Sequence, residues 1–136
     1  MVKKALFLFA LLAGCAFAQN RVFELRTYTC NEGKLEALKA RFRDHTIEIF
    51  KRHGMESIGY WVPSPVPSGG ATPDRSQNTL VYIIAHASRE QAKKNWAEFS
   101  ADPEWQKVSK ASEVNGKIVI KVESVFMDPT DFSMLK

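Results

Sequence analysis

The sequence is poor in the residues and spacings that carry readily recognised chemistry. Its 136 residues hold two cysteines, Cys15 and Cys30, too few for a disulfide framework and too far apart for a Cys-x-x-Cys redox or zinc motif. Its seven glycines form neither a dinucleotide fingerprint nor a phosphate loop, and no G-x-S-x-G or H-E-x-x-H occurs, which argues against nucleotide-dependent transfer and zinc hydrolysis. No run of Lys and Arg interleaved with aromatics appears, so no nucleic-acid partner is expected. No apolar stretch reaches the ~18 to 20 residues that span a bilayer.

What is present begins with a leader. Lys3 and Lys4 precede the apolar segment Ala5 to Ala13, and Ala16-Phe17-Ala18 makes an A-x-A cleavage site, so residues 1–18 read as an export signal and the product as periplasmic or secreted. A second reading competes: Leu12-Ala13-Gly14-Cys15 resembles a lipobox, which makes residues 1–14 a lipoprotein signal and Cys15 a membrane anchor. In both cases Cys30 is left without an intramolecular partner, as a small residue at a turn. The formal charge of +4 loses Lys3 and Lys4 with the leader, leaving 17 Lys and Arg against 15 Asp and Glu, a balance that points to no charged partner.

With 45% hydrophobic and 25% charged residues, the rest is one domain able to bury a core without disulfides or metal. From 22 to 42 the hydrophobic period changes from two to nearly four, the mark of a strand feeding a helix. Alternation sets Phe23, Leu25 and Thr27 on one face and Glu24, Arg26 and Tyr28 on the other, and the apolar set is expected to face the helices of its own subunit. The helix runs from Asn31 or Glu32 to about His53, with Gly54 as its stop and Leu35, Leu38, Phe42, His45 and Ile49 on its inner stripe. A strand over 55–62 ends at Pro63, a proline- and glycine-rich loop covers 63–78, and the apolar run 79–86 is a buried strand. Ser88 and Gln91 make a capping-box pattern opening a second helix; Asp102-Pro103 opens a third. Asn115-Gly116 turns the chain into a last strand over 117–127.

The order β-α-β-β-α-α-β predicts an α+β, ferredoxin-like fold with a four-stranded antiparallel sheet. Helices on one side leave the other face of such a sheet bare, so a homodimer is expected to cover it. On this reading Glu24, Arg26 and Tyr28 look across to the second subunit.

Six ordered pieces also match a family: Glu24-Leu25-Arg26-Thr27-Tyr28, Gly33-Lys34-Leu35, Phe42-Arg43-Asp44-His45, His53-Gly54-Met55 with Gly59-Tyr60-Trp61, Trp96-Ala97-Glu98-Phe99 with Asp102-Pro103-Glu104-Trp105, and Pro129-Thr130-Asp131-Phe132-Ser133. Over residues 22–135 the chain resembles the NIPSNAP family. The resemblance implies a dimeric α/β-barrel of two ferredoxin-like subunits, in a family most of whose members have no assigned reaction. The loop over 63–77 follows no pattern of that family.

Three functions follow as expectations. The first is a homodimeric binding or scaffold protein. The second is a cofactor-independent oxygenase or isomerase acting on a small hydrophobic molecule, with His45 as general base. The third is haem binding through His45. Glu24, Arg26 and Tyr28 are candidates for an interface network or an anion site. Tyr60, Trp61, Trp96 and Trp105 are candidates for an apolar pocket. No metal site is expected. Intact mass of membrane and soluble fractions separates the two leader readings: cleavage after Ala18 gives a chain starting at Gln19, and lipidation gives one carrying diacylglycerol mass on Cys15.

Overall fold

The alternating segment Val22–Cys30 is a nine-residue strand, β1, as its pattern predicts. The computed structural model describes residues 21–67 and 69–136; both leader readings concern residues outside that set. After β1 come α1 (Leu35–Arg41), a π-helical turn (Phe42–Thr46), α2 (Ile47–Arg52), β2 (Glu56–Trp61), β3 (Thr79–His86), α3 (Arg89–Ala101), α4 (Pro103–Ser112) and β4 (Val119–Met127). The strands form one antiparallel sheet in the order β2-β3-β1-β4. No helix among the described residues is long and apolar enough to cross a membrane.

The expected single helix over 31–53 is interrupted. At Phe42–Thr46 the hydrogen bonds widen, the Ile47 amide donating to the Phe42 carbonyl, and the Thr46 hydroxyl donates to the Arg41 carbonyl at 3.1 Å. Residues in a π-turn advance less around the axis than in an α-helix, so the inner stripe slips in phase. Thr46 and Phe50, each 1% exposed, come to its centre, and Arg41 is buried beside Phe42. His45, expected on the buried stripe, is exposed.

Residues paired across the strands share a face. One face carries the row Tyr60–Tyr82–Arg26–Ser124 together with Ile84, Glu24 and Phe126; the other carries Gly59–Ile83–Leu25–Val125 together with Trp61, Val81 and Thr27. The helices pack on the first. The expected orientation of β1 is therefore reversed: Glu24, Arg26 and Tyr28 face the chain's own helices, while Leu25 and Thr27 lie on the side that no helix among the described residues covers. The cause is an aromatic core. Tyr28, Phe42, Phe50, Tyr60, Tyr82, Trp96 and Phe99 meet at centroid distances of 5.0 to 6.1 Å, and such pairs contribute about 0.5–1.5 kcal/mol each beyond their burial. On the far side the C-terminal segment folds back, with Pro129 and Leu135 beside Phe23 and Ile83.

The caps follow the sequence signals. Ser88 accepts from the Gln91 amide at 3.0 Å, and Asp102 accepts from the Glu104 amide at 2.8 Å. Asp102 also receives His53 at 2.7 Å and Arg52 at 2.9 Å, which ties the end of α2 to the start of α4. Cys30 is 2% exposed inside the core. Gly54 ends α2 at φ +71°, a left-handed conformation that costs an L-residue roughly 1–2 kcal/mol. A Cβ there would meet Asn95 only at ordinary contact distance, 3.5 Å. Gly54→Ala should thus lower unfolding free energy by about 1–2 kcal/mol with an unchanged urea m-value; an equal midpoint would contradict the assignment.

Candidate functional site

Two neighbouring assemblies lie between sheet and helices. The first is built on Glu24, whose carboxylate is 1% exposed yet fully occupied. One oxygen accepts from Arg26 Nη1 and Ser124 Oγ, both at 2.6 Å; the other accepts from Trp96 Nε1 at 2.7 Å and His86 Nε2 at 3.0 Å. β1, β3, β4 and α3 each contribute. Because Nε2 faces a carboxylate it carries the proton, and Nδ1 accepts from Asn95 Nδ2 at 3.4 Å. Asn95 is itself oriented by Gln91 at 2.7 Å and by the Gly54 carbonyl at 3.2 Å. Arg26 stacks on Trp96 at 4.2 Å and donates to Tyr28 Oη at 3.3 Å.

Burial pushes the Glu24 carboxyl up, but the hydrogen bonds from His86, Ser124, Trp96 and Arg26 outweigh it and hold the group at about 2. With every acceptor position used, this network is a closed structural one. Arg26 is already neutralised by Glu24, so the anion site expected at Arg26 and Tyr28 has no free charge to offer.

The second assembly is a cleft of about 180 Å³ walled by Tyr28, Phe42, Phe50, Phe99, Trp105, Val119 and Val122, with Arg41, Thr46, Ser109 and Glu113 as its polar members. The Arg41 side chain is 6% exposed. It donates to Ser112 Oγ at 3.2 Å, approaches Glu113 at 3.7 Å and lies 5.3 Å from the Trp105 ring centroid. Burial draws this guanidinium below its usual range despite the attraction of Glu113. Three buried side-chain atoms among the described residues lack a hydrogen-bond partner: Arg26 Nε, Arg41 Nε and Tyr82 Oη.

The residues singled out from sequence divide accordingly. Glu24, Arg26 and Trp96 meet in the closed network. Tyr28 and Trp105 line the cleft, where Trp105 packs on Phe99 at 4.5 Å. Tyr60 is core, stacked on Tyr82 at 5.5 Å and bonded to Ser57 at 2.7 Å. Trp61 is 51% exposed at the end of β2. His45 lies in a neighbouring open groove of about 600 Å³ between α1 and α4, beside Asp44 and Lys107, and Arg41 lines both that groove and the cleft. Sequence reasoning missed Arg41, Ser124 and Asn95, and it gave His86, the last residue of the strand over 79–86, no role. Arg41 three residues after Leu38 was a usable signal, but nothing local announces a π-turn. No group of three or more His, Cys, Asp or Glu among the described residues could hold a metal ion.

Glu24→Gln would place an amide NH2 against two of these donors and leave Arg26 unneutralised. Breaking a buried pair in this way costs about 3–5 kcal/mol, readable by urea unfolding at pH 7. Since the folded-state value lies below the ordinary 4.5, the stabilisation is complete above that pH and is lost as pH falls toward 2. Wild-type stability should therefore decline across that window more steeply than that of Glu24→Gln.

The sequence profile of the NIPSNAP family matches residues 23–134. Among solved structures, a NIPSNAP family protein with unknown function from Agrobacterium tumefaciens aligns at 26% identity and TM-score 0.69, covering 87% of this chain and 96% of its own. A further crystal structure of a protein from that organism aligns at 27% identity and TM-score 0.68, covering 85% and 99%. An uncharacterized NIPSNAP-like domain protein from Burkholderia xenovorans shares the fold at 19% identity and TM-score 0.68, covering 85% and 90%. Comparison with curated proteins gives no significant match.

Proposed function

This chain belongs to the NIPSNAP family, and on that premise we propose that it acts as an exported homodimeric binding protein whose two copies join through their bare sheet faces and whose cleft holds a small, largely apolar molecule. One observation carries the reading: among the described residues the sheet has helices on one side only, while its other side presents Leu25, Val81, Ile83, Val125 and Trp61. An apolar sheet face of this kind is stable once another layer removes it from water. A second copy supplies a layer of the same chemistry, and the exposed Phe132 and Met134 of the C-terminal segment extend the apolar surface.

Binding is supported by the aromatic cleft, which lies on the helix side and so stays clear of the proposed contact. The oxygenase or isomerase alternative draws on the same cleft but loses its general base, because His45 lies in the other groove. Haem ligation through His45 loses the burial on which it was argued. Export rests on the leader composition alone.

Sedimentation equilibrium tests the dimer. The mature chain should run at twice its subunit mass at micromolar concentration. Val125→Lys, on an exposed site of the edge strand, should shift it to monomer with its far-ultraviolet circular dichroism intact. A monomeric wild type would overturn the proposal.

A further inference from the structure

Among the described residues, the buried side-chain atoms left without partners include the Nε donors of Arg26 and Arg41 and the hydroxyl of Tyr82. Tyr28 adds a hydroxyl proton, since its oxygen already accepts from Arg26. The two arginine Nε groups can only donate, whereas the Tyr82 hydroxyl can also accept, so the region holds more unmet donors than acceptors. A buried donor left unsatisfied is costly, and a ligand bringing acceptor oxygens would relieve that cost at Arg41 and Tyr28, both of which line the cleft.

Charge narrows the class. Glu24 neutralises Arg26 at 2.6 Å. Glu113 stands farther from Arg41, at 3.7 Å, and accepts from the Ile118 amide at 3.2 Å, which holds it in place. What remains is less than one full positive charge beside a fixed carboxylate, suited to a monoanion and hostile to a phosphate dianion. Size narrows it further: cavities of about 150 Å³ hold benzene, and the present cleft measures about 180 Å³. Its walls are flat rings, Phe42, Phe50, Phe99 and Trp105, which favour a planar body.

Building on the binding role proposed above, we infer that the cleft takes a small aromatic monocarboxylate, its carboxylate on Arg41 and Tyr28 and its ring among Phe42, Phe99 and Trp105. Arg41 then acts as the specificity determinant of the cleft, and the π-turn that buries it beside Phe42 is part of the site.

The test is titration of the dimeric wild-type chain with benzoate, benzyl alcohol and inorganic phosphate, followed by amide and Trp105 indole NMR shifts. Benzoate should bind about ten- to a hundredfold more tightly than benzyl alcohol, the discrimination expected of a charge-assisted hydrogen bond, and phosphate should leave the Trp105 signal in place. Arg41→Met keeps bulk and should abolish the preference for benzoate while retaining benzyl alcohol. Val122→Trp, on the exposed edge strand, should fill the cleft and block both, and it locates the site should Arg41→Met fail to fold. Equal binding of benzoate and benzyl alcohol would overturn the acid specificity and leave the binding role standing. No shift with either aromatic would overturn both. Binding of benzoate unaffected by Val122→Trp would overturn the location.

Discussion

Everything on the helix side of this sheet is organised around one buried carboxylate. Glu24, the third residue of β1, is 1% exposed, and an isolated ion so buried would be untenable. It persists because four donors from three other positions in the fold and from its own strand converge on its two oxygens. That convergence fixes the register of β1 against β3 through His86 and against β4 through Ser124, and it pins α3 to the sheet through Trp96. A shift of one residue in any of these pairings would turn a donor to the opposite face. The network is therefore a device of specificity as much as of stability, and it explains how a charged strand face can be an inner one.

The second organising constraint is the π-turn. A regular α-helix over 35–52 would carry His45 inward. The wide turn lets Arg41, Phe42, Thr46 and Phe50 share the interior, and so places a cation at the wall of an otherwise aromatic cleft. π-Turns cost hydrogen-bond geometry and recur at functional positions. Here the turn sends His45 to an open groove, while His53, at the end of α2, goes to the Asp102 cap that fastens α2 to α4.

Between them, these two features divide the molecule into a rigid half and a receptive one. Beneath α3, both oxygens of Glu24 have all their donors, and Arg26 Nε is the one buried atom of that network without a partner. Beneath α1 and α4, Arg41 Nε has no partner and stands at the wall of a cleft lined by aromatic rings. The bare sheet face is a third kind of surface, apolar and extended, with the C-terminal segment covering only its Phe23 end.

The sequence by itself determined the elements, their order and most of their ends, because hydrophobic period, caps and turn residues are local quantities: Ser88 and Asp102 cap where their spacing predicts, and Gly54 stops the helix where φ must be positive. It also determined that β1 has two unlike faces and that family resemblance runs along nearly the whole chain. It did not determine which of those faces turns inward. Alternation states only which residues travel together, whereas strand order and the hand of the crossover choose the side on which helices lie. Only the tertiary structure could decide that Glu24, Arg26 and Tyr28 point to the core, because their burial depends on His86, Trp96 and Ser124, which lie 62 to 100 residues away in the chain. The same holds for Arg41 and His45, whose exchange of places depends on a change of helical phase that no single residue encodes.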